Sequence, residues 1–118
     1  MKLLVALILF ATSALAADFS GTWSGEGVTN GESHALYFVI KQDGDSFTGS
    51  GGPDATEQHT FASAKADGTK LVLEIAVGDK GTLHFELEPD GATGLKGTVS
   101  FRRQDGNESG TVTLKKVA

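Results

Sequence analysis

The chain has 118 residues, 10 Lys+Arg against 15 Asp+Glu, 16 glycines, 2 prolines and no cysteine. That length holds one domain, and a net charge of −5 with no basic stripe and no block of like charges excludes a nucleic-acid surface built to neutralise phosphates. Without cysteine the fold must stand on its core, with no crosslinks.

The first element is a targeting segment. Lys2 supplies a positive start, Leu3 to Phe10 is an unbroken apolar run of eight, and Ala14-Leu15-Ala16 has the small-x-small pattern of a signal-peptidase site. Residues 1–16 are read as a signal peptide cleaved before Ala17, and residues 17–118 as the mature domain, secreted or periplasmic. The apolar run is too short to cross about 30 Å of hydrocarbon and no second one follows, so no integral membrane span is expected in the mature chain. No cysteine stands near the cleavage point to carry a lipid anchor.

From Ala17 onward no stretch carries apolar residues at helical spacing, whereas period-2 alternation recurs throughout. In chain order it predicts eight strands, over residues 20–28, 34–42, 46–51, 57–66, 70–77, 82–88, 95–103 and 110–117. The cleanest alternation sets Leu71, Leu73, Ile75 and Val77, then Leu83, Phe85 and Leu87, against the polar face of Glu74, His84 and Glu86. Asp-Gly dipeptides at 43–44, 67–68, 90–91 and 105–106 mark turns, because glycine accepts positive φ and aspartate bonds the turn backbone. Matching apolar faces across these turns pairs Val77 with Gly81 around a loop of residues 78–80. The same matching pairs Phe101 with Val112 and leaves residues 105–108 as the last loop. Eight sequential antiparallel strands imply an all-β fold, an up-and-down β-barrel that leaves no exposed edge, with a two-sheet sandwich as the alternative.

The opening Phe19-Ser20-Gly21-Thr22-Trp23, followed by Phe38-Val39-Ile40, Asp43-Gly44 and Phe47-Thr48-Gly49, resembles the start of calycin-superfamily chains, the lipocalins and avidins. The likeness covers about the first third of the mature domain and implies a small calycin-like barrel. It also implies that Gly21 and Trp23 close one end while a basic side chain from the last strand, Lys116, packs across the indole. With one tryptophan and one tyrosine, the chain departs from the several tryptophans of avidin-type biotin sites, and no lipocalin-like helix is visible.

No catalytic signature emerges. His34, His59 and His84 are spaced by 25 residues, but His34 shares the inward face of Leu36 while His84 shares the outward face of Glu74, so they cannot converge on a metal. Glu74, Glu86 and Glu88 lie on the polar face without a cleft to raise a carboxyl pKa. Neither a nucleophile elbow nor a dinucleotide fingerprint is present, and no cofactor is expected. The Gly-rich segment 49–56 reads as a plain connection between strands, with a loop at the rim of a ligand mouth as the alternative.

The expected function is an exported, non-enzymatic barrel that binds a small apolar or amphipathic molecule, with His34, Tyr37 and His59 as rim residues for that ligand. The alternative is a filled structural barrel that contacts another exported protein or the cell envelope. Its motive is the number of large inward side chains in so short a chain.

Overall fold

The structure, a computed structural model, describes residues 18–117. Residues 1–16, read above as a signal peptide, and the expected cleavage point before Ala17 lie outside the described residues. The described chain is all-β, without helices. Its strands are β1 (Gly21–Thr29), β2 (Glu32–Asp43), β3 (Ser46–Gly52), β4 (His59–Thr60), β5 (Ser63–Asp67), β6 (Lys70–Val77), β7 (Gly81–Asp90), β8 (Gly94–Arg103) and β9 (Gly106–Lys116). All pair antiparallel in one sheet of order β4-β3-β2-β1-β9-β8-β7-β6-β5. Pairing of the first strand with the last curls the sheet, which brings β3 and β4 round to face β5 and β6.

The expectation of eight strands closing into a barrel is corrected here. The predicted strand 57–66 is interrupted at Phe61 and Ala62, giving nine strands, and β4 and β5 form no ladder with each other. At the break the chain crosses the seam: Phe61 N–H donates to the carbonyl of Gly49 on β3, and Ala62 N–H to that of Glu74 on β6. Two amides serving opposite flanks cannot also continue one ladder, so the sheet is curled rather than fully closed.

Two registers decide where side chains meet. Val77 pairs with Gly81 around Gly78-Asp79-Lys80, as apolar matching requires. The last hairpin differs by four residues: Phe101 faces Glu108, Val112 faces Gly97, and the loop is the two-residue Gln104-Asp105. An even shift keeps every side chain on its own face, so alternation alone does not separate the two registers. The first hairpin turns on Asn30-Gly31, both at positive φ (50° and 79°), the pairing that a two-residue type I′ turn demands. Close approach matters at Gly97, where a Cβ would lie 1.8 Å from the carbonyl oxygen of Glu86. No side chain fits there, which lets β8 press against β7 as the sheet bends.

The turns divide into two ends. At one end Phe19, Trp23 and Phe47 are buried, and Phe19 meets Phe47 edge-on at 6.0 Å. In the middle Phe38 is fully buried, edge-on to Phe85 at 5.0 Å and tilted against Phe61 at 6.2 Å. Leu71, Leu73, Ile75, Leu87, Leu95 and Leu114 fill the space around them.

On the outer wall His84 lies between two carboxylates, Nδ1 3.0 Å from Glu74 and Nε2 3.1 Å from Glu86. Both contacts are hydrogen bonds only when each ring nitrogen carries a proton. The His84 hydrogen bond, with help from the charge of Lys70, holds the Glu86 carboxyl below its ordinary value of 4.5 against the opposing effect of burial. A carboxylate lowered on folding adds stability above its unfolded pKa, and that contribution disappears as pH falls through the folded value. The midpoint of urea unfolding is therefore expected to hold steady down to about pH 4.5 and fall below it. Glu86→Gln will make that fall shallower; an identical acid limb in the variant would refute the assignment.

Candidate functional site

The other end of the curled sheet is open. It is framed by the β1–β2, β6–β7 and β8–β9 turns and by the β3–β4 loop, residues 53–58. Alternation continues to send apolar side chains inward here, but nothing caps them. Of the residues that alternation aims inward, Leu36, Val77, Leu83 and Phe101 stay half-buried while the strand centres are sealed. Around them lie two adjoining hollows. The larger, of about 330 Å³, is lined by Leu36, Leu83, Phe85, Val99 and Phe101, with Gly27, Thr29, His34, Arg103 and Glu108 towards its rim. The smaller, of about 210 Å³, shares Leu36, Leu83 and Phe85 and is bordered by Phe38, Ile75, Val77, Pro53, Glu57 and His59.

Polar groups gather only at the lip. Arg103 Nη2 is 3.2 Å from Glu108 and its Nε 3.5 Å from Asp105, while the guanidinium carbon stands 5.2 Å from the centre of the Phe101 ring. His34 Nε2 is 4.0 Å from Glu32, and His59 Nε2 is 3.9 Å from Glu57. The 53–58 loop is pinned rather than loose: Asp54 accepts from the amides of Thr56 and Glu57 and from the Thr56 hydroxyl. The amide of Glu57 foremost, then Thr56, keeps the Asp54 carboxyl below its ordinary value. Gln58 donates from Nε2 to the carbonyls of Asp54 and Tyr37 and accepts from the Ser50 hydroxyl, which ties the loop to β2 and β3.

His34 lines the larger hollow and His59 the smaller. Tyr37 lines neither: its neighbours Leu36 and Phe38 point inward, so its own side chain lies on the outer face. At the opposite end Trp23 is buried, its Nε1 donates to the carbonyl of Phe19 at 3.0 Å, and Lys116 Nζ stands 5.5 Å from the ring centre. Gly21 begins β1 at φ 137° opposite Ile40. Of the Gly-rich segment, residues 49–52 belong to β3 and only 53–56 to the rim loop.

Sequence reasoning missed Arg103 and Glu108. With Phe101 paired to Val112, Glu108 fell in a loop; the true register sets it across from Phe101 on the inward face. The available signal was the two-residue turn at Gln104-Asp105, which brings residues 103 and 108 into reach. Among the described residues no group of three or more His, Asp or Glu side chains is placed to hold a metal ion. Compared with protein-family models, with curated proteins and with solved structures, the chain finds no match.

Proposed function

We propose that this is an exported, non-enzymatic, calycin-like protein that holds a small apolar or amphipathic molecule in the open end of its curled sheet. One observation carries the reading: three inward apolar side chains at that end, Leu36, Leu83 and Phe101, are left half-buried around a hollow of about 330 Å³. Exposed apolar surface in a concave site gains most by covering a ligand, and polar groups confined to the lip orient an amphipathic one. The sealed centre beneath, with Phe38 against Phe85, gives that hollow a rigid floor.

The test is native mass spectrometry of the protein purified from its exporting host, repeated after denaturation. The expected result is an adduct on the order of a few hundred daltons, fitting a site of this size, that is lost on unfolding. Thr29→Phe, which places a ring in the larger hollow, will abolish the adduct while leaving the melting temperature within a few degrees. A bare polypeptide mass, together with failure of any alkyl probe to bind in titration, would overturn the reading and favour contact with another exported protein.

A further inference from the structure

Charge is distributed unevenly between the two ends. The turns and loop that frame the opening, residues 29–34, 53–59, 78–80 and 103–108, carry six carboxylates, Glu32, Asp54, Glu57, Asp79, Asp105 and Glu108, against two bases, Lys80 and Arg103. At the opposite end Asp18 and residues 41–46, 65–70, 88–96 and 115–116 carry six carboxylates and six lysines. The chain's negative charge is thus concentrated around the apolar hollow.

From this we infer that the hollow takes a cationic amphiphile, an alkyl chain ending in an ammonium group. The inference rests on the ligand-binding reading above. The mouth already seats a cation of its own: the Arg103 guanidinium lies over the Phe101 face and is shared by Glu108 and Asp105. An aromatic face beside carboxylates stabilises positive charge through the ring quadrupole and through Coulomb attraction. A ligand ammonium at the lip has Glu57 at the border of one hollow and Glu108, beside Arg103, at the border of the other. Besides His34 and His59, an anionic head meets one cation in the lining, Arg103, whose Nη2 already donates to Glu108 and whose Nε stands 3.5 Å from Asp105, and the six carboxylates of the collar outnumber its two bases. The alkyl chain takes up the apolar wall of Leu36, Leu83, Phe85 and Val99.

The experiment compares three probes of equal chain length below their micellar concentrations: decyltrimethylammonium, decanol and decanoate. Each is titrated calorimetrically into the purified protein near neutral pH, at low and at moderate salt. The cation is expected to bind about tenfold tighter than the anion at low salt, with the neutral alcohol between them and the gap shrinking as salt screens the collar. Glu57→Gln combined with Glu108→Gln should narrow that gap several-fold, and Glu32→Gln combined with Asp79→Asn gives a second test in case the first pair perturbs folding. Equal binding of all three probes, or tighter binding of decanoate, would overturn the charge preference while leaving the hollow as a ligand site. Binding by none of them would overturn both.

Discussion

Phe38→Ala is expected to lower stability by about 3 to 5 kcal/mol, which for a domain of this size corresponds to a fall in melting temperature of roughly 15 to 30 °C. Phe38 is fully buried and lies where Phe85 from β7 and Phe61 from the seam converge on it. Its removal deletes a large transfer term and leaves a void, because the partners belong to strands held in separate ladders and cannot close on the gap. The void would also join the smaller hollow, which Phe38 borders. Phe38→Leu keeps most of the volume and should cost about 1.5 kcal/mol or less. Phe61→Ala, at a half-buried position, should fall between the two. Thermal unfolding of the three variants checks the order; a Phe38→Ala loss no greater than that of Phe61→Ala would show that the middle of the sheet is not the packed floor described above.

The same residue explains how much of the molecule was legible in the sequence. Period-2 alternation is a property of each strand alone, so it assigns faces without knowing partners. It picked out Phe38, Leu73, Ile75, Phe85 and Leu114 as inward, and all are buried. Partner choice is a property of turns, and there the reading divided. At residues 78–80 only one short loop brings apolar faces together, so the register is determined. At the last hairpin two registers keep Phe101 inward, and apolar matching favours Val112 as its partner. The molecule instead makes the tighter turn and accepts a carboxylate, Glu108, on the inward face. That is tolerable only because this end is open to water and Arg103 stands beside it. The site was hidden for that reason: its polar members depend on a register, whereas its apolar members depend on alternation. The break at Phe61 was hidden in another way. Nothing in residues 57–66 signals that two adjacent amides will bond to opposite flanks of a seam, since that follows from how far the whole sheet curls.

Trp23→Ala is the substitution expected to cost most, about 4 to 6 kcal/mol when loss of the packed indole is added to loss of its hydrogen bond. Trp23 is 2% exposed, and its Nε1 holds the carbonyl of Phe19 at 3.0 Å. Phe19 in turn donates its N–H to the Gln42 side chain and stacks edge-on against Phe47, so the indole ties the segment before β1 across to β2 and β3. Without it a buried carbonyl loses its donor and Phe19 loses its anchor, and two sources of stability disappear together. Because a whole domain is stable by only about 5 to 15 kcal/mol, this variant is expected at the edge of folding, and Trp23→Phe separates the contributions. Phenylalanine keeps much of the packing and removes the N–H, so its loss should be about 1 to 3 kcal/mol. Lys116→Met removes only the cation above the ring, 5.5 Å from its centre, and should cost about 0.5 to 1 kcal/mol. Urea unfolding of the three variants gives these losses directly. The descending order Ala, Phe, Met is what an end closed by packing first and charge last requires. If Lys116→Met cost as much as Trp23→Phe, the cation would be the main closure and the buried hydrogen bond to Phe19 secondary.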